Sequence, residues 1–426
     1  MKKKLIPIIA MACMSIVALA GCNKDTTHRF VTDDYVVVGN TAPTAGALSF
    51  VGLPFNNGME AAFWNYNKSV DKNDDTKPNR VIELVNRPDD FTATTGIPLT
   101  KQLVEEDKVF ALAGHFGTPT VAGTVNYIRD KGIPMLYAAT GVNALLAPDG
   151  SAHDPVMPVQ PIYRTEGQIT VARVVTERIY GPNKNLPFPA NGKIGVLYTE
   201  TDDGRGILSG ITDEAFKRGL SSAQLPRYSF VDTDAIALAT TVNQLLADGV
   251  AAIIVAANQA PFKASLKALH DAGNTAPVYT SYVSAASANF DAAVNYTFDS
   301  YINNWLDVTS GTGLADAIEF ATIITEFNDG DATYATNPYA QAGWVAGSMF
   351  AEAFKRIDNL PTEEITWAKF IAAVESAPLN IPMGGDLDFA NGSRTGIRSM
   401  GLLKYDPSDD AKFIIHAPIT SLEDLN

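Results

Sequence analysis

The sequence predicts an α/β protein made of two similar lobes, each with a parallel sheet at its core, and three observations carry that prediction. Short apolar runs alternate with helix-period stretches along almost the whole chain, as βα repeats require. The alternation is run through twice in the same order, on either side of the Pro-punctuated link Met157-Pro158-Val159-Gln160-Pro161. A length of 426 residues is also more than one ordinary hydrophobic core accommodates.

The N-terminus reads as a targeting segment. Met1-Lys2-Lys3-Lys4 is basic, and Leu5 to Leu19 is an apolar run too short for a comfortable membrane span. Leu19-Ala20-Gly21-Cys22 looks like a bacterial lipobox, which would make residues 1–21 a lipoprotein signal peptide and Cys22 the lipidated first residue. The alternative is an ordinary secretory peptide with an incidental Cys22. Cys13 would leave with the leader, so the mature chain can form no internal disulfide, and a lipid anchor is the simplest use for Cys22. Residues 22–34 are polar and read as a tether.

The first series follows. Tyr35 to Gly39 is a strand, with Ala42 to Gly46 a loop at its carboxyl end. Leu53 to Tyr66 is a helix with Met59, Ala62, Phe63 and Tyr66 on one face, Arg80 to Val85 a strand and Thr94 to Glu106 a helix. Asp71-Lys72-Asn73-Asp74-Asp75 lacks the Gly and Glu that a calcium loop needs and reads as a solvated connection.

The unit Val109 to Gly141 organises the rest. Val109 to Ala113 reads as a buried strand and Gly114-His115-Phe116-Gly117 as a turn. Thr118 then caps a helix with Pro119 at its first position. Val121, Ala122, Val125 and Ile128 share one face of this helix, Gly132-Ile133-Pro134 ends it, and Met135 to Ala139 is the next strand. Such a unit implies parallel strands joined by a right-handed crossover, and ligands collect beyond the carboxyl ends of strands in these sheets. The two ends, Gly114–Thr118 and Ala138–Thr140, offer N–H groups, hydroxyls and a helix N-terminus, a setting that favours an anionic group.

The second series starts after the Pro-rich link. It comprises a helix over Thr165 to Tyr180, a Pro-rich insertion over Asn183 to Gly192, a strand over Lys193 to Thr199 and a helix over Gly204 to Arg218. A helix over Asp234 to Asp248, a strand over Ala251 to Ala256, a helix over Phe262 to Ala272 and a strand over Pro277 to Ser281 complete it. Three further helices are expected over Leu314 to Phe327, Tyr339 to Ile357 and Thr366 to Val374. A hairpin is expected over Gly384 to Gly392 with Asn391-Gly392 as its turn, then closing strands Gly401 to Tyr405 and Lys412 to His416.

Composition narrows the function. The formal charge of −15 becomes about −18 once the three leader lysines are gone, and no basic stripe exists for nucleic acid. The chain has no Walker loop, no HExxH, no GxSxG elbow and no cysteine pairs for zinc, and its five histidines share no ligand spacing, so neither a metal site nor a cofactor is expected. Gly204-Arg205-Gly206-Ile207-Leu208-Ser209-Gly210 approaches a dinucleotide fingerprint. However, Ser209 replaces the third glycine, and Asp202 and Asp203 would repel a pyrophosphate, so a tight turn lining a cleft is the better account.

At this point the chain resembles a type I periplasmic solute-binding protein, of the branched-chain amino acid and amide group that feeds ABC importers. The resemblance is carried by Val37 to Thr44, Leu103 to Val109, Gly114-His115-Phe116-Gly117-Thr118, Gly132-Ile133-Pro134 with Ala138-Ala139-Thr140, Tyr163-Arg164-Thr165-Glu166-Gly167 and Asp202 to Gly206, and it spans essentially all of the mature chain. It implies two Rossmann-like lobes with parallel-sheet cores, joined by three crossing segments near Val159, Tyr301 and Ser393. It also implies hinge closure on a ligand, a motion of which periplasmic binding proteins are themselves an established example. The implied lobes are residues 35–159 plus 302–393 and residues 160–301 plus 394–426.

The resemblance also implies a site. Gly117, Thr118, Ala138 and Thr140 match positions that grip a ligand carboxylate, with Thr44, His115, Phe116 and Ala139 around them. Phe50 and Tyr163 would supply walls. From the second lobe come Asp203, Asn258 and Tyr282; the last stands where amino-acid binders place an acid that pairs with the ligand's ammonium. Ser281-Tyr282-Val283 offers no carboxylate, so either Asp203 substitutes or the ligand lacks an amine, and some of the aromatics could instead be core. The implied partners are a small-molecule ligand, an ABC transporter permease and a membrane reached through Cys22. A sensory subunit that hands its closed form to a signalling partner is the alternative, and an envelope enzyme comes third because no nucleophile–base pair is visible.

Overall fold

The computed structural model describes residues 30–74, 76–147, 153–409 and 412–425. The leader and Cys22 lie outside them. The first lobe opens with β1 (Tyr35–Ala42), α1 (Ser49–Asn67), β2 (Val81–Pro88), α2 (Ala93–Glu105), β3 (Ala111–Phe116), α3 (Thr118–Lys131), β4 (Met135–Ala139) and the short β5 (Val156–Met157). These strands form one sheet in the order β2-β1-β3-β4-β5, parallel throughout. β1 and β3 are apolar runs covered on both faces, which is the burial a parallel sheet imposes.

The chain then crosses and builds α4 (Tyr163–Thr176), β6 (Ile194–Thr199), α5 (Asp202–Lys217), β7 (Arg227–Phe230), α6 (Ala235–Ala247), β8 (Ala252–Ala256), α7 (Gln259–Asp271), β9 (Val278–Thr280) and β10 (Ser300–Asn304). It returns to the first lobe as α8 (Gly311–Phe327), α9 (Pro338–Lys355), α10 (Trp367–Glu375) and the hairpin β11 (Leu379–Ile381) with β12 (Gly385–Leu387). It ends in the second lobe as β13 (Ser399–Tyr405) and β14 (Phe413–Ser421). The second sheet runs β14-β13-β10-β9-β8-β6-β7, with β10–β13 and β13–β14 paired antiparallel.

Each lobe brings two helices into near-backbone contact through glycines. A Cβ on Gly58 of α1 would stand 1.9 Å from the Ala340 carbonyl oxygen of α9, and one on Gly343 would stand 1.8 Å from that of Phe55. In the second lobe a Cβ on Gly167 of α4 would meet the Ile207 oxygen at 2.1 Å, and one on Gly210 of α5 the Arg164 oxygen at 1.8 Å. No side chain fits there, so each helix pair packs as one rigid unit. Two of the three crossings run side by side, because the Ile397 N–H donates to the Val159 carbonyl at 2.8 Å. The other follows β10 and is held where the Asp307 N–H donates to the Met383 carbonyl at 2.7 Å.

Several expectations are corrected. Gly114 to Phe116 continue β3, and the chain turns only at Gly117, whose φ of 98° suits glycine. Gly117, not Thr118, occupies the N-cap of α3, because the Thr118 hydroxyl bonds elsewhere. The hairpin turns at Met383-Gly384, upstream of Asn391-Gly392, which sits in a short 3-10 turn instead. β7 has no counterpart in the sequence reading, since Arg227-Tyr228-Ser229-Phe230 shows too little apolar character to stand out. β10 holds residues 302–304 in the second sheet, so the chain leaves that sheet at Trp305 rather than near Tyr301.

Candidate functional site

β3 and β4 pair in register, His115 opposite Ala138 and Phe116 opposite Ala139, so their carboxyl ends open at one level. The Gly117 N–H reaches the Ala139 carbonyl at 3.4 Å and closes the turn between them. Thr118, the first residue of α3, and Thr140, just past β4, then face each other with their hydroxyls 2.9 Å apart. The Tyr163 hydroxyl, from the start of α4, completes the cluster at 3.0 Å from Thr118 and 3.4 Å from Thr140. All three residues are buried. Burial and the charge of Asp203 push the Tyr163 hydroxyl's pKa up, so it stays a neutral donor. Three hydroxyls beneath the N-terminus of a 14-residue helix can supply directed donors to an anionic group.

Tyr163 also ties the lobes through its backbone. Its N–H donates to the Gly141 carbonyl at 2.6 Å, and a Cβ on Gly141 would meet the Pro161 oxygen at 2.6 Å and the Tyr282 hydroxyl at 2.9 Å. Beside it, the Asn143 amide accepts the Arg164 N–H at 2.9 Å and reaches the Ser209 hydroxyl of α5 at 3.2 Å. Nothing in the sequence marks Asn143 as an inter-lobe contact.

On the second lobe, Asp203, the second residue of α5, accepts the Asn258 N–H at 3.0 Å, which joins the mouths of β6 and β8. Burial raises the pKa of its carboxyl, and its hydrogen bonds oppose that shift. Tyr282 bonds to the first crossing. Its hydroxyl donates to the Pro161 carbonyl at 3.0 Å and accepts from the Gln160 amide at 2.8 Å, while its ring lies 6.4 Å from that of Tyr163. Gln160 in turn accepts the Tyr137 hydroxyl at 3.1 Å.

The remaining first-lobe residues divide. Phe116 is buried between Phe55, at a 5.0 Å ring separation, and Phe91, at 6.3 Å. Phe50 is 46% exposed and meets the Tyr339 ring edge-on at 6.4 Å. The Tyr339 hydroxyl is closed off from solvent and faces Asn289 and Gln259 of the second lobe. Thr44 is half-buried, 3.4 Å from Asn86. The His115 side chain departs from expectation, because it is sealed inside the first lobe and not at the mouth. Its Nδ1 accepts the Thr41 N–H at 3.4 Å, and Nε2 lies 3.2 Å from the Thr100 hydroxyl. Burial lowers its pKa to about 4, so it is a neutral core histidine.

Sequence reasoning missed Glu166, a fully buried acid on α4. It accepts the Ser281 hydroxyl at 2.7 Å, the Tyr282 N–H at 2.8 Å and the Asn303 amide at 3.1 Å. The signals were its place in the run Tyr163 to Gly167 that carries the resemblance and a charge on the same helix face as Ile169 and Thr170. Among the described residues no group of His, Cys, Asp and Glu gathers as a metal site would need, and no helix is long and apolar enough to cross a membrane.

Comparison with solved structures places this architecture. A fatty acid ABC transporter substrate-binding protein from Thermomonospora curvata superposes with a TM-score of 0.74 at 16% identity, over 93% of this chain and 96% of that one. A branched-chain amino acid ABC transporter structure from Thermus thermophilus, with bound valine, gives 0.69 at 16% identity, over 92% and 97%. A leucine-binding protein LivK from Thermotoga maritima gives 0.70 at 14% identity, over 91% and 99%. At such identities the likeness shows the fold. A search of curated proteins finds no match. The model of the family described as periplasmic binding protein matches residues 36–411, both lobes and all three crossings, and the chain belongs to that family.

Proposed function

We propose that this protein is a receptor, not an enzyme, that captures a small carboxylate-bearing solute between its lobes by hinge closure. As a lipoprotein held at the cell envelope through Cys22, it would present the closed form to an ABC transporter permease. The hydroxyl cluster of Thr118, Thr140 and Tyr163 carries the reading. It brings both strand mouths and the second lobe to one point under a helix N-terminus, and a carboxylate there could replace the hydroxyls' bonds to one another. The names of the structural neighbours support the same chemistry, since valine, leucine and fatty acids all carry a carboxylate. Asp203 is the second-lobe group available to a ligand ammonium, and the Tyr282 hydroxyl, spent on the hinge, is not.

The test is a thermal-shift screen of amino acids, amides, aromatic acids, fatty acids and uncharged sugars. A ligand at a hundredfold excess over Kd adds about 2.7 kcal/mol of stability. The carboxylates should give the largest shifts. Thr118→Val should weaken the best of them by roughly tenfold or more, the loss of one hydrogen bond to a charged group. Shifts from uncharged sugars alone would overturn the reading.

A further inference from the structure

A continuous chain of buried polar groups runs through the hinge. It starts at Tyr137 on β4, passes through Gln160 and Pro161 of the first crossing to Tyr282, and from the Tyr282 backbone to Glu166. From Glu166 it continues to Asn303, at the end of β10 and two residues before Trp305 of the next crossing. Glu166 therefore ties α4 to the loop after β9 and to the end of β10, and Tyr282 carries that tie on to the first crossing.

We propose that Glu166 is a proton-responsive tie of this hinge. As a carboxylate it clamps the loop after β9 to the end of β10, and on taking up a proton it loosens that clamp and frees the crossings to move. The reading rests on motion of the lobes about their crossings and is independent of the ligand's chemistry.

The hydrogen bonds explain why one proton matters. All three partners donate to Glu166, so the carboxylate acts only as an acceptor. Ser281 already accepts the Val283 N–H at 3.3 Å, capping the turn that carries Tyr282. A proton on the nearer carboxyl oxygen must point at that same hydroxyl, which then has to turn its own hydrogen away.

The surroundings favour uptake of this proton near neutrality. Burial pushes the Glu166 pKa up to about 7, against the opposing pull of its three hydrogen bonds. Tyr163 on its own helix and Tyr282 on the adjoining turn are the titratable groups that feel its charge, and Asp203 of α5 lies beyond Tyr163. The nearby guanidiniums are engaged elsewhere, Arg164 with Asp213 and Arg173 with Glu177. Glu214 of α5 pairs with Lys217 and Arg218, and Tyr279 and Tyr301 on β9 and β10 stack on each other.

Trp305 provides the readout. It is buried in the crossing after β10, its ring 6.4 Å from that of Tyr137. Tryptophan emission of the full chain, in detergent and without added ligand, would be followed from about pH 5.5 to about pH 8.5, with Trp305→Phe subtracted to isolate the signal. A sigmoidal change centred near pH 7 is expected, and it should vanish in Glu166→Gln, whose amide keeps one acceptor oxygen but cannot titrate. No change in the wild type, or the same change in Glu166→Gln, would overturn the proposal. Should Glu166→Gln not fold, Ser281→Ala decides. Removing a bond that favours the carboxylate should move the midpoint upward by about half a pH unit or more, and an unmoved midpoint counts against the tie.

Discussion

Replacing Gly141 by alanine tests whether the lobes close against each other at the mouth of β4. The added Cβ would stand 2.6 Å from the Pro161 carbonyl oxygen, 2.8 Å from the Tyr163 ring and 2.9 Å from the Tyr282 hydroxyl. Each distance is below ordinary contact, and none of the three atoms belongs to the sheet that carries Gly141. The first crossing and the second lobe must therefore back away, while the first lobe keeps its packing. Overpacking of this kind costs about 1–3 kcal/mol. Where that cost falls on the ligand-bound arrangement, it amounts to roughly 5- to 150-fold weaker ligand binding. The assay is calorimetric titration with the carboxylate that gives the largest thermal shift, alongside ligand-free thermal unfolding of both proteins. The expected result is a large loss of affinity with little change in ligand-free unfolding. Affinity within twofold of wild type, or a fall in ligand-free stability as large as the loss in binding, would refute the reasoning.

Two further predictions follow from individual residues. His115 has a folded-state pKa of about 4, below its ordinary value of 6.5, so the fold favours the neutral ring. Its contribution is fully present above pH 6.5 and is lost as pH falls toward 4, about 3 kcal/mol in all. Glu166 runs the other way, because its raised pKa makes its contribution greatest below pH 4.5 and smallest above pH 7. Urea unfolding at several pH values should therefore show a shallower acid loss in His115→Gln than in wild type, and parallel curves would count against a neutral buried ring. For the anchor, Cys22→Ala should move the protein from the membrane fraction to the soluble one, and unchanged fractionation would remove the lipoprotein reading.

The hydroxyl cluster shows how far residue spacing reaches. Thr118 and Thr140 are found by asking where parallel strands end, because strand ends are set by local apolar runs and by Gly117 and Gly132. Tyr163 enters through the family resemblance alone, and only its position across the crossing makes it the third hydroxyl. His115 misled because alternation along a strand decides which face a side chain takes, and the strand runs two residues past Gly114 before it turns. Glu166 stayed hidden for a related reason. One acid among helix residues looks solvated until α5, β9 and β10 are packed around it.

The sequence by itself determined the order of most strands and helices, the division into two series and the places where β3 and β4 end. These follow from local periodicity and turn chemistry, which act over a few neighbouring residues. Only the tertiary structure decided that Tyr282 bonds to the first crossing, that Asn143 bridges to α5, and that a buried glutamate ties the loop after β9 to β10. Each depends on groups between 66 and 137 residues apart in sequence meeting within hydrogen-bond distance. No local pattern encodes such a meeting, because it exists only once both sheets and the crossings between them are in place.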